Sequence, residues 1–205
     1  DLIRSRGLGD VYKRQVFYSK LLLNLYEIDG KKEYLDEASK IMVEAWNMFY
    51  DEKSKLLQKN PIKRNDLFVS PVDLNDNNIP NGNSVYLTQL NKLYYITNDK
   101  HWSEKSQLLQ QSFHQILNSN FSQMFSFVKA LDMYHETISF TFYGENKEIK
   151  EIKNHLLKNY LDRAVFIYKI DNSTNSGVVI CKNQTCSNKI TSISEINDYL
   201  KDISI

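Results

Sequence analysis

Leu25-Tyr26-Glu27-Ile28-Asp29-Gly30-Lys31-Lys32-Glu33-Tyr34 sets out a helix end, a polar corner and an aromatic that opens the next helix. The same design returns in Leu93-Tyr94-Tyr95-Ile96-Thr97-Asn98-Asp99-Lys100-His101-Trp102, at a constant offset of 68 residues. In the first copy Gly30 offers the left-handed backbone that ends a helix at little cost. A helical hairpin that recurs at a fixed spacing points to a repeat of antiparallel helices.

The flanking residues carry helices into and out of each corner. Phe17, Leu21, Leu22, Leu25 and Ile28 fall at three- and four-residue steps over Val16 to Ile28. Beyond the first corner Tyr34, Ala38, Ile41, Met42, Ala45, Met48 and Phe49 share one face. Around the second corner the faces are Tyr86, Leu90, Leu93, Tyr94 and Thr97, then Trp102, Ser106, Leu109 and Phe113; Phe121 to Tyr134 continues in the same period. After residue 137 the period shortens: Ile138 to Tyr143, Ala164 to Ile170 and Gly177 to Cys181 read as strands, with helices over Glu145 to Tyr160 and Ile193 to Ile203. The expectation is a mainly α fold, an incomplete (α/α) toroid of antiparallel helical hairpins over residues 16–137, followed by a small α/β subdomain over 138–205. Asp1 to Gln15 has four basic residues, two glycines and no helical period, so it is set aside as a non-native leader of the kind adaptor read-through leaves in assembled sequence data.

Composition narrows the function classes. The chain has 205 residues, 41% of them hydrophobic, enough for a packed core, and a net charge of +1. With no basic block and no basic-aromatic stripe, neither nucleic acid nor an anionic membrane is expected as a partner. No apolar run reaches the roughly 20 residues of a spanning helix. No secretory signal pattern is visible and there are two cysteines, so a reduced, cytoplasmic protein is expected.

Between the two repeats lies Asp73-Leu74-Asn75-Asp76-Asn77-Asn78-Ile79-Pro80-Asn81-Gly82-Asn83-Ser84, with five asparagines in twelve residues. Turn chemistry this dense bends a chain sharply and aims polar groups at one point. Asp76 and Asn83, with Asp73 behind them, are the candidates for an acid or base and for ligand binding. The plain structural alternative has Asn83 or Ser84 capping a helix, Pro80 and Gly82 forming a turn and Asp76 bonding its own backbone.

Cys181-Lys182-Asn183-Gln184-Thr185-Cys186 spaces its cysteines more widely than a C-x-x-C motif. Cys181 and Cys186 are a candidate redox pair, half a metal site, or two cysteines of a strand and turn; zinc needs two further ligands, and none lies nearby in sequence. The histidines at 101, 114, 135 and 155 show no metal-ligand spacing, and no glycine loop cradles phosphates, so neither metal nor cofactor is expected.

Asp76-Asn77-Asn78-Ile79-Pro80-Asn81-Gly82-Asn83-Ser84 is similar to the D-G-A-x-P-S-G-N-S segment of the thioredoxin-domain proteins typified by bacterial YyaL and the spermatogenesis-associated protein of animals. Leu25 to Gly30 resembles that family's L-Y-E-x-T-G-D corner, and Gly177 to Cys186 its C-terminal A-Y-V-C-x-x-x-x-C. The order and spacing fit from Val16 to the end. The resemblance implies a C-terminal fragment of a chain whose N-terminal thioredoxin-like domain precedes a six-hairpin glycosidase-like toroid. The departures are Ser70 and Val72 where the family has basic residues around Pro71, Asn77 and Asn78 for Gly and Ala, and Lys189 for a proline.

Two functions follow from that reading. In one, the toroid binds or transforms a carbohydrate-like ligand, with Asp76 catalytic and Asp73, Asn83 and Ser84 holding it. In the other, the toroid is a non-catalytic scaffold for the thioredoxin-like domain, its partner in the full-length protein.

Overall fold

The computed structural model describes residues 11–62, 71–144, 147–159, 163–169, 176–183 and 185–202. The chain divides into two compact units, residues 1–134 and 135–205.

The first unit opens with a helical hairpin of α1 (Val11–Asp29) and α2 (Lys32–Phe49). Gly30 turns the corner at φ 74°, and its N–H donates to Tyr26 O at 2.7 Å, satisfying a carbonyl the helix end leaves open. α1 begins at Val11 rather than at the expected Val16. Tyr12, Val16, Leu23 and Tyr26 form its buried face, so residues that looked aperiodic from the start of the chain belong to the helix from Val11 on.

A short hairpin follows, β1 (Tyr50–Asp51) and β2 (Leu56–Leu57), in the register Tyr50↔Leu57 and Asp51↔Leu56. Asp51 closes it by accepting the Ser54 N–H at 2.9 Å, which with the other donors in the turn holds its carboxyl below the usual range. A second helical hairpin joins α3 (Gly82–Thr97) to α4 (Lys100–Asn120). Its corner residue Asn98 is left-handed (φ 57°), and Asp99 caps α4 by accepting the His101 N–H at 3.0 Å. A 3-10 turn (Phe121–Gln123) leads into α5 (Phe125–Glu136). α1 packs on α2 and α3, and α3 on α4. Phe49, Leu57, Tyr86, Leu90, Phe113 and Phe127 are fully buried between them, with Phe113 and Phe127 stacked at 4.2 Å.

The second unit is a four-stranded mixed sheet in the order β4-β3-β5-β6, built from β3 (Ile138–Tyr143), β4 (Ala164–Lys169), β5 (Gly177–Lys182) and β6 (Thr185–Cys186). β3 runs parallel to β4, reached through α6 (Lys147–Lys158), and antiparallel to β5. The register pairs Phe140 with Phe166 and Phe142 with Tyr168, giving stacked rings at 5.4 and 5.3 Å. Ile149, Ile152 and Leu156 of α6 and Ile196 of α7 (Ile193–Asp202) join those rings in a core of their own.

The expected incomplete (α/α) toroid is therefore corrected. Among the described residues the fold is mixed α/β: two helical hairpins, a strand hairpin and a fifth helix in one unit, a sheet with helices in the other. The 68-residue repeat marks two helix–corner–helix elements. Closing a ring depends on long-range packing, which corner chemistry does not encode.

Candidate functional site

The polar loop joins the strand hairpin to α3. Gln58 bridges to Val72 and the Lys59 N–H donates to Pro71 O at 2.9 Å, bringing the loop's start beside β2. Asp73 follows, 5% exposed, with Lys13 Nζ at 2.6 Å and Lys59 Nζ at 3.8 Å. A buried carboxylate needs such partners, because a desolvated charge left unpaired is strongly destabilising.

Asp76 is the loop's staple. Its Oδ1 accepts the Asn81 backbone N–H at 2.8 Å and the Asn81 Nδ2 at 3.0 Å. Its Oδ2 accepts the Ser126 N–H at 2.6 Å, at the first turn of α5, and its own N–H donates to Gln123 O at 2.6 Å. A carboxylate at a helix N-terminus satisfies orphan donors and faces the positive end of the helix dipole. One side chain thus closes the loop and ties it to α5.

Pro80 precedes Asn81, and Asn81, not Asn83 or Ser84, caps α3: its Oδ1 accepts the Ser84 N–H at 2.9 Å. Gly82 and Asn83 lie in the helix's first turn. A Cβ on Gly82 would stand 2.5 Å from Tyr12 Cε1, so this place admits a tyrosine ring against bare backbone. Asn83 is fully buried, and its amide works as a strand partner. Oδ1 accepts the Leu57 N–H at 2.9 Å while Nδ2 donates to Leu57 O at 2.9 Å and to Asp73 O at 3.2 Å. Ser84 Oγ is buried without a hydrogen-bond partner among the described residues. Nearby, burial pushes the phenols of Tyr12 and Tyr86 well above their ordinary range, and Tyr86 Oη donates to Met42 O at 2.6 Å.

The loop thus brings Asp73, Asp76, Asn81, Asn83 and Ser84 into one connected region, where the bonds of both carboxylates and of Asn83 hold protein to protein. What this does is pin four elements together: β2, the loop, α3 and α5. Sequence reading missed Asn81 as the cap and Tyr12 and Lys13 as members. The four-residue step from Tyr12 to Val16 was the available signal for the last two.

Cys181 and Cys186 are cross-strand neighbours in the β5–β6 hairpin and form a disulfide, with Cα atoms 4.0 Å apart. Asn183 turns the hairpin at φ 50°. The chain's two cysteines are both in this bond, leaving no free thiol. His155 Nε2 lies 2.8 Å from Asn197 Oδ1, joining α6 to α7, while His101 and His114 contact the rings of Trp102 and Phe127. Among the described residues no group of three or more His, Cys, Asp or Glu is placed to hold a metal ion, and no helix is long and apolar enough to cross a membrane.

No protein-family profile matches the chain. A search of curated proteins finds similarity to Metacaspase-1 of Plasmodium falciparum, 28% identical over 162 residues, 68% of this chain and 24% of that protein. The chain thus spans about a quarter of the length of the relative it matches. This finding overturns the resemblance to the thioredoxin-domain family typified by YyaL: the similarity found is to a metacaspase. With that family go the six-hairpin glycosidase-like reading, the carbohydrate-binding or carbohydrate-transforming function and its place in carbohydrate metabolism, and the scaffold for a thioredoxin-like domain. Asp76, the carboxylate expected to act on a ligand, is bonded to Asn81 and Ser126 in this structure.

Proposed function

We propose that this chain is a non-catalytic segment of a metacaspase-like protease, a folded accessory region and not the hydrolytic centre. Caspase-type peptidases act through a cysteine thiolate activated by histidine. The observation that carries the proposal is the Cys181–Cys186 disulfide, which takes up both cysteines of the chain. The similarity to a metacaspase supplies the protease context, and the polar region around Asp76 supplies a reason for the segment to hold a defined shape.

The test is a peptidase assay on the full chain with a fluorescent casein and a mixed peptide library, in oxidised and dithiothreitol-reduced buffer. No turnover above a buffer blank is expected in either. Turnover in the reduced sample that disappears in Cys181→Ser or Cys186→Ser would overturn the proposal and make the disulfide a lock on a nucleophile. Alkylation in intact cells should find Cys181 and Cys186 bonded, as the proposal requires; finding both free would return the chain to a reduced, cytoplasmic setting and remove the observation that carries the proposal.

A further inference from the structure

Lys105, on α4, is 8% exposed, and its Nζ lies 4.3 Å from the centroid of the Trp46 ring. The indole stacks on Tyr50 at 3.8 Å and lies 6.2 Å from the ring of Tyr86. Two other sheltered lysines of this unit have carboxylates: Lys92 meets Glu27 at 2.5 Å and Lys13 meets Asp73 at 2.6 Å; half-buried Lys20 has Lys92 and Lys129 near it instead. Among the described residues Lys105 has an aromatic face and no acid. The ring quadrupole returns only about 1–2 kcal/mol to a desolvated cation, less than a counter-ion would. A neutral nitrogen in the same place avoids most of that penalty.

We infer that Lys105 is a site of N-acylation, a sheltered amine that takes an acyl group from small activated donors of the acyl phosphate or acyl thioester class. The lone pair of the neutral Nζ attacks the donor's carbonyl carbon. A C–N bond forms, the C–O or C–S bond breaks, phosphate or thiolate leaves with the bonding pair, and the nitrogen's proton passes to solvent. No oxidant or reductant is involved. The product amide carries no charge, so acylation removes the burial penalty of the ammonium.

Burial lowers the Lys105 ammonium to about 8. The titratable side chains its contacts place nearby are His101 and Glu104, neighbours on its own helix, and Tyr50 and Tyr86, whose rings pack on Trp46. None of these pairs with Lys105 among the described residues. At pH 7.4 about a fifth of such a lysine is neutral, against about one part in a thousand for an ordinary one. The weaker base is also the weaker nucleophile, which gives back part of that gain and leaves about a tenfold advantage. Trp46 is itself partly exposed, so the amine sits beneath a ring that reaches solvent. The site stands apart from the peptidase reading.

The test treats the full chain with limiting acetyl phosphate, and separately with acetyl-coenzyme A, from pH 6.5 to 9.5. Peptide mass spectrometry then gives each lysine's rate. Lys105 should be acetylated about tenfold faster at pH 7.4 than Lys32 and Lys147, which are 83% and 88% exposed. Its rate should level off above pH 8. Labelling by one reagent alone supports the site and identifies the donor class. A Lys105 rate below those of the exposed lysines, or one still climbing at pH 9.5, overturns it. A second readout uses the Trp102→Phe background, where Trp46 emission should step near pH 8 and lose that step in Lys105→Met; a flat profile with Lys105 present also overturns it.

Discussion

Asn83→Ala is the substitution whose effect can be worked most fully from the structure. The side chain is completely buried and makes three bonds, two to the backbone of Leu57 and one to the carbonyl of Asp73. Truncation leaves an N–H and two carbonyls facing a small cavity. Each buried polar group left unpaired costs about 1–3 kcal/mol. Allowing for one of them finding water, the loss should be about 3–5 kcal/mol, a large part of the 5–15 kcal/mol that holds a typical domain together. At about 3 °C per kcal/mol for a unit of this size, the melting temperature should fall by about 10–15 °C. Urea unfolding followed by circular dichroism measures the free energy directly. Asn83→Asp should be worse than alanine, because it keeps the acceptor for Leu57 N–H but turns a carboxylate oxygen on two carbonyls. A loss below about 1 kcal/mol for alanine, or aspartate better tolerated than alanine, would refute the strand-partner role.

Gly82→Ala should cost about 1–3 kcal/mol, since its methyl group meets the Tyr12 ring; Tyr12→Ala in the same chain should recover part of that loss in a double-mutant cycle, and additive losses would show that the two do not touch. Stability should rise with pH from about 8 towards 10.5, because the unfolded chain holds the Lys105 proton to 10.5 while the folded one gives it up near 8. Above about 10 stability should fall, because the unfolded chain ionises tyrosines that burial keeps protonated at Tyr12 and Tyr86; melts from pH 7 to 11 should show this alkaline maximum, and Lys105→Met should shrink the rising limb to the part that the lowered Lys20 supplies. Reducing the disulfide opens a loop of sequence separation 5, and loop entropy sets the loss for the second unit at about 2 kcal/mol; a Cys181→Ser/Cys186→Ser chain should melt alike with and without dithiothreitol.

How much of this was legible from sequence depends on how local each cause is. The corners at Gly30 and Asn98 were readable, because a left-handed residue at a helix end nearly demands glycine or asparagine. The strand at Ile138–Tyr143 was readable from its apolar residues and its shortened period. The cap of α3 was not. Asn81, Asn83 and Ser84 are all good caps, and the choice falls on Asn81 because Leu57, 26 residues back, occupies the amide of Asn83. Asp76 was recognised as special, but its contact with Ser126 spans 50 residues, and a carboxylate in an asparagine-rich loop reads equally as staple or as acid. The start of α1 was hidden by its neighbours, since Tyr12 follows two glycines in a basic stretch. Lys105 gave no signal at all: a lysine in a helix reads as solvated until Trp46 of another helix is laid against it.

The position of β3 in its sheet has a consequence for the chain as it is made. Both strands that hydrogen-bond to β3, β4 and β5, lie downstream of it, and the second is complete only at Lys182. At about 5–20 residues per second of synthesis, Ile138 to Tyr143 waits about one to five seconds with both edges open before β4 is made, and longer before β5 can close the second edge. Ile-Ser-Phe-Thr-Phe-Tyr is aromatic, uncharged and free of proline, the make-up of a segment that pairs with copies of itself. Chains stopped at residue 163 should therefore sediment as aggregates from a translation reaction, while chains carried past Lys182 remain in the supernatant. The sheet's strand order makes the interval between β3 and β5 the time when the nascent protein most needs a chaperone.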